Sequence, residues 1–342
     1  MCFTSYIFTQ NSFFHRGNFL SSVIRISDDD VSAMMSPADF VASCDAAFQL
    51  YGKGEMVNPA REESLTREDD VEVFHLTLPG EWKGKYRGRK IIEEHSDIKT
   101  GRLGERTAFI ELEDWGGAQR VVLDAEHITN MRTGAAGVLG AKYMCQLPIQ
   151  KVAILGTGRI AMALARCADV ALHPEEIWAT SRKAENRRQF ANDLDGVLSC
   201  KLQMFETIET CVRNADVILA AVPTPTPVLK KGMVTEKVHI SVLGGDQRTQ
   251  QLEQALFLNR QVIPDHSEQV LKSGDFLTAK ASGRCISYVK DGTGEIMDVG
   301  QAALGTIENL RGQGAIVYFS GMAIQDVHAA SVVWERHQSQ VG

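Results

Sequence analysis

Between Leu155 and Met162 the chain reads Gly156-Thr157-Gly158-Arg159-Ile160-Ala161, a G-x-G-x-x-A spacing suited to holding a pyrophosphate. Gly156 permits a tight bend, Gly158 lets backbone approach the phosphates, and Ala161 allows close contact between helix and sheet. Exposed amides and the positive end of the following helix favour the anion. The second strand of this unit ends in Thr180-Ser181-Arg182-Lys183, with Arg187 one helical turn on. An Asp or Glu there would hold the ribose 2′-OH of NAD, whereas basic and hydroxyl groups suit a 2′-phosphate, so the expected cofactor is NADP(H) rather than NAD(H). The alternative is that these cations are a solvated helix start. Further on, Leu243-Gly244-Gly245-Asp246 ends an apolar strand in a carboxylate, which is able to exchange a proton with a substrate nitrogen. The competing role for Asp246 is to cap a helix beginning at Thr249.

These residues need a scaffold, and the hydrophobic pattern supplies one. From Lys151 onward strands and helices alternate: strand 151–155, helix near 159–171, strand 177–180, helix 184–194, strand 201–205, helix 206–213, then strands 216–222 and 238–243. That order predicts a parallel sheet with helices on both faces, a Rossmann-type α/β unit. Pro223-Thr-Pro-Thr-Pro-Val breaks the pattern as a loop at the carboxyl edge, where such sheets bind ligands, and places Val222 and Thr224 beside the cofactor. A helix at 249–257, a strand at 261–264, a helical stretch at 266–275 and a final amphipathic helix follow.

Ahead of that unit lies a different texture. A strand at Val23–Ile26 precedes a helix that starts at Ser36-Pro37 and ends at Gly52. Residues 71–123 read as an antiparallel layer: Val71–Leu78 and Arg106–Glu113 alternate, and Arg120–Leu123 closes a hairpin across Trp115-Gly116-Gly117. The charged and glycine-crowded stretch from Gly80 to Arg106 carries no clear period. Residues 124–144 form one or two helices rich in small residues, which permit close packing, and 146–150 is the hinge.

With 342 residues there is length for two domains. A net charge of -7 argues against nucleic acid or an acidic membrane surface, no run is apolar enough to span a bilayer, and a small-molecule partner is expected. Seven cysteines form no C-x-x-C and read as reduced thiols of an intracellular, cytoplasmic protein with neither metal site nor disulfide framework. The first 27 residues lack Asp and Glu and resemble a transit peptide in composition, which leaves organellar targeting open beside a plain disordered extension.

Several stretches together resemble the ornithine cyclodeaminase and mu-crystallin family: Asn130-Met-Arg-Thr-Gly-Ala-Ala-Gly, Gly156-Thr-Gly, Leu243-Gly-Gly-Asp246 and Gly321-Met-Ala-Ile-Gln-Asp326. The resemblance spans roughly residues 22–340. It implies an extension at 1–22, a smaller α+β domain for substrate binding and dimerisation at 23–145 completed by 320–342, and the dinucleotide domain at 146–319. A homodimer also fits the antiparallel layer, which needs a cover. The family's substrate carboxylate is held by basic residues, which match Arg132, Arg61 and Lys90 here, and the catalytic residues the resemblance implies are Asp246, which matches its catalytic aspartate, and Lys90. Arginine grips a carboxylate with two parallel charge-assisted bonds and lysine adds a third charge, so the match agrees with the chemistry. The activity implied is NAD(P)H-dependent reduction of an imino or keto acid to an amino acid. The alternatives within the family are an ornithine cyclodeaminase that recycles NAD and a non-catalytic NADPH-binding protein. Gln247-Arg248-Thr249-Gln250 departs from the family's frequent Pro-Gly-Lys run.

Overall fold

The computed structural model describes residues 23–100 and 103–341, so the expectations for residues 1–22 lie outside the described residues. The chain opens with β1 (Ile24–Ile26), α1 (Asp28–Met34), α2 (Pro37–Gly52), β2 (Met56–Val57), β3 (Glu62–Glu68), β4 (Val71–Trp82), β5 (Tyr86–Asp97), β6 (Leu103–Asp114), β7 (Arg120–Asp124) and α3 (Glu126–Met144). Ser36 begins α2 as expected, its hydroxyl accepting from the Asp39 amide while the Asp39 carboxylate accepts from the Ser36 amide, with Pro37 at the first helical position. The strands form a sheet in the order β1-β7-β6-β5-β4-β2, with β3 also paired to β4; β1 runs parallel to β7 and the rest are antiparallel.

The second half holds β8 (Lys151–Leu155), α4 (Arg159–Leu172), β9 (Glu176–Thr180), α5 (Ala184–Leu194), β10 (Lys201–Phe205), α6 (Ile208–Val212), β11 (Val217–Ala220), β12 (His239–Leu243), β13 (Val262–Pro264), α7 (Ser267–Val270), α8 (Gly274–Ala281), α9 (Val299–Ala303), β14 (Ile316–Phe319) and α10 (Ala323–Val341). Its sheet is parallel throughout, in the order β10-β9-β8-β11-β12-β14-β13. The order reverses between β8 and β11, and ligands of open parallel sheets bind at such a reversal. Among the described residues no helix is long and apolar enough to cross a membrane.

The expected helix at 249–257 is absent; only a short 3₁₀ turn at Gln254–Leu256 forms. Leu252, Ala255 and Leu256 imitate helical spacing, but the buried Asp275 carboxylate accepts the Gln251 and Leu252 amides, and Leu252 bridges to Leu229 in extended form. The stretch at 266–275 is split between α7 and the start of α8. Four further strands, β2, β3, β5 and β14, are not foreseen from the sequence, and β5 fills the stretch that carries no period.

Helix α3 joins the two sheets. Its Gly134, Gly137 and Gly140 are three residues apart and share a face. A side-chain carbon at Gly134 would stand 2.6 Å from the Ala163 backbone, one at Gly137 2.8 Å from Leu164, and one at Gly140 2.7 Å from the Ser241 hydroxyl. The small residues of 124–144 therefore let a single helix lie directly on α4 and β12. Helix α10 descends onto the first sheet in the same way, over Gly80 and its cross-strand partner Gly88, where a methyl would meet Val327 at 3.1 and 3.0 Å.

Candidate active site

At the start of α4 the chain makes the bend that its glycines suggest. Gly156 has a φ of +113°, where any other residue would be strained, and a side chain there would press on the Ala221 carbonyl at 2.9 Å. Gly158 begins the helix with no side chain capping it and has open space where a side chain would be, so the first amides of α4 face out ready for an anion. Thr157 and Ile160 are half-buried, and Arg159 is exposed and paired with Glu126 across the cleft. A dinucleotide fits this turn, judged by the unfilled amides and the bare backbone.

At the end of β9 no carboxylate is present. Thr180 is buried with its hydroxyl on the Phe205 carbonyl, Ser181 is half-buried, and Arg182 and Lys183 are exposed. Arg187 turns inward, donating to the Ser181 carbonyl at 2.7 Å, so it braces this loop. On the other side of β8, the Val222 amide donates to the side chain of Gln251, which in turn donates to the Leu243 carbonyl at 2.8 Å. Gln251 is fully buried and clasps the ends of β11 and β12, while Thr224 accepts the Gln250 amide through its backbone carbonyl.

Two of the three basic residues, Lys90 and Arg132, come together through an aspartate, Asp326, to which the sequence gives no role. Lys90 follows Gly88 by two residues and so shares its sheet face. Where α10 settles on Gly80 and Gly88, Asp326 meets Lys90: Nζ donates to both carboxylate oxygens at 3.1 and 3.0 Å. Arg132 of α3 donates Nε to the same carboxylate at 3.1 Å and Nη1 to Gln325 at 2.8 Å. All three charged groups are buried, and Asp326 is fully so. Burial lowers the Lys90 pKa to about 8, with the Arg132 cation pushing the same way and Asp326 opposing both. Asn58 fixes the approach of α10 by accepting the Ala323 amide at 2.7 Å, and the buried Asp265 holds the preceding loop through Ser320 and the Gly321 amide, each at 2.7 Å.

Asp246 stands at the mouth of the same cleft. It caps no α-helix, since none follows; its carboxylate accepts the Arg248 amide at 2.6 Å and the Arg248 guanidinium at 3.0 Å. That guanidinium holds the Asp246 carboxyl below its ordinary range, and the Arg61 cation adds to the effect. Arg61 lies with Nε 2.7 Å from the Glu63 carboxylate. Gly245 is required beside it, because a side chain would strike the Ser320 carbonyl at 2.4 Å.

Arg132 and Asp246 line one cavity of about 340 Å³, together with Ile160, Ala221, Leu243 and Phe319. The size suits a small ligand or the reactive end of a larger one. The cavity runs from the dinucleotide turn to the arginine of the buried cluster, with Asp246 on its wall. Lys90 lies behind that wall, joined to it through Asp326, and Arg61 lies close enough to Asp246 to influence its charge.

The model of the ornithine cyclodeaminase/mu-crystallin family matches residues 23–341, and the chain belongs to that family. An alanine dehydrogenase of Archaeoglobus fulgidus is 26% identical over 324 residues, covering 92% of this chain and 95% of the relative. In three dimensions the chain is similar to the Δ1-pyrroline-2-carboxylate reductase of Thermococcus litoralis in complex with NADH and L-proline, with a TM-score of 0.81 at 20% identity over 93% of this chain and 98% of the other. It is likewise similar to an archaeal alanine dehydrogenase dimer with bound NAD, with a TM-score of 0.78 at 22% identity over 94% and 97% of the two chains.

Proposed function

We propose that this member of the ornithine cyclodeaminase/mu-crystallin family is an NADP(H)-dependent oxidoreductase that reduces an imino or keto acid to the corresponding amino acid. The observation that carries the reading is the shared cavity, which Arg132, Asp246 and Ile160 of the dinucleotide turn all line. The dinucleotide, when bound, supplies the hydride. Arg132 binds the substrate α-carboxylate, and Lys90 strengthens that binding by sharing Asp326 with it. Asp246, kept ionised by Arg248 and Arg61, holds the positive charge of a protonated C=N group and orients its carbon toward the cofactor. Ala221, Leu243 and Phe319 exclude water around the reacting carbon.

NADP(H) is favoured over NAD(H) because the exposed Arg182 and Lys183 follow β9 where an acidic residue would repel a 2′-phosphate. The working form is a homodimer. Its contact is formed by β3 to β6, which carry apolar side chains on both faces: Leu65, 53% exposed, with the half-buried Phe74 and Leu76 on one, and Val71, 39% exposed, with the half-buried Ile91 and Phe109 on the other.

Following nicotinamide absorbance and ammonia together tests the function. A reductase consumes NADPH stoichiometrically with pyrroline-2-carboxylate, or with a 2-keto acid plus ammonia. Release of ammonia from ornithine without net absorbance change would make it a cyclodeaminase, and neither signal would leave a binding protein.

A further inference from the structure

Arg248 follows the cavity-lining Asp246 by two residues and bonds to its carboxylate. Its side chain is 85% exposed, and its Nε and Nη2 donate to Asp246 at 3.3 and 3.0 Å, while no partner is seen for Nη1 among the described residues. An ion pair this open contributes little to stability, so the guanidinium is free to exchange one carboxylate for another. Through Asp246 it is tied to the wall of the cavity that Arg132 also lines. Glu94 of β5 also faces it but is held by Arg106 at 2.9 Å.

Charge balance supplies the second strand of the argument. Around the cleft Arg61, Lys90, Arg132 and Arg248 face Glu63, Asp246 and Asp326, so one positive charge is left over. A protonated imine with a single carboxylate is neutral and leaves that charge uncompensated. A protonated imine with two carboxylates carries one negative charge and closes the balance.

We propose that Arg248 is a specificity-determining residue that receives the distal carboxylate of an imino or keto dicarboxylic acid of four or five carbons, whose α-carboxylate lies on Arg132. The substrate class rests on the reductase reading above, whereas the binding of a second carboxylate does not depend on turnover. As the distal carboxylate takes up the guanidinium fork, Asp246 is released toward the substrate nitrogen, so the extra carboxylate also readies the aspartate.

The experiment compares wild type, Arg248→Gln and Arg248→Lys in two ways. In turnover, oxaloacetate or 2-oxoglutarate with ammonia is set against pyruvate with ammonia, all with NADPH. The ratio of dicarboxylate to monocarboxylate kcat/KM should fall about 10- to 100-fold in Arg248→Gln, mainly through KM, as expected for losing charge-assisted hydrogen bonds, with partial recovery in Arg248→Lys. In calorimetry, the NADP⁺-loaded protein is titrated with succinate and with butyrate, and succinate should lose its advantage in Arg248→Gln. An unchanged ratio with equal succinate binding overturns the proposal while the reductase reading stands. No reduction of any substrate overturns the reductase reading, and the succinate titration then still decides the role of Arg248.

Discussion

Asp326 and Asp246 each face arginine across a few ångströms, yet their surroundings are opposite. Asp326 is sealed beneath α10 with Lys90 and Arg132, and every charge there depends on the other two. Asp246 sits at the open mouth with Arg248, in contact with solvent. A buried ion cluster cannot give up a partner without stranding a charge in low dielectric, whereas an exposed pair exchanges partners readily. The first suits a fixed anchor and the second a group that must change partners during a reaction.

The strongest way to break this comparison is Asp326→Ala, which strands two buried cations and should cost about 3–5 kcal/mol, read as a lower urea midpoint. A loss under about 1 kcal/mol would mean that the cluster is wet and the contrast false. Next comes Asp246→Asn, expected to lower kcat by about 100-fold or more while the urea midpoint and NADPH binding stay as they were. Normal turnover would leave Asp246 a mere turn former.

Smaller in effect is Arg182→Ala, which should reduce the preference for NADPH over NADH by about 1.5–3 kcal/mol in fluorescence titrations, the range for bonds to a charged group. Retention of full preference would shift recognition to Lys183 or Ser181. The mildest test is the pH profile of kcat/KM, which reports the free enzyme. The Lys90 pKa is lowered, so its charge is lost as pH rises through about 8 and the alkaline limb begins there. The Asp246 pKa is also lowered, so it stays ionised as pH falls; Arg248→Gln removes the main cause and should move the acid limb to higher pH. An acid limb that does not move would show that Asp246 is not the titrating group.

What could be read from the chain follows the range of the interactions. The dinucleotide turn was legible because Gly156, Gly158 and the helix after them lie within one stretch, each choice explained by its neighbours. Strand β3 left no trace, since Glu62–Glu68 is exposed at every position and is a strand only through its pairing with β4. In β5 the alternation fails at Lys90, a charge at a core position, so the period is lost at the buried ion cluster. Asp326 belonged to a stretch noted for its resemblance, yet its partners are 236 and 194 residues away. One signal was available: Asp326 interrupts the apolar face of Ala323, Val327 and Ala330, and a lone carboxylate on such a face calls for a buried cation.

The glycine stripe of α3 works as a ruler. Arg132 lies two residues from Gly134, and Gly134 rests on Ala163 of the helix that the dinucleotide turn begins. The separation between the arginine and that turn is therefore set by helix rise and by backbone contact, with no long side chain between to absorb a change. Changes to Arg248, the cavity wall or the exposed strands leave the span from Arg132 to the dinucleotide turn as it is. The fixed span and the changeable wall are built from separate parts of the chain.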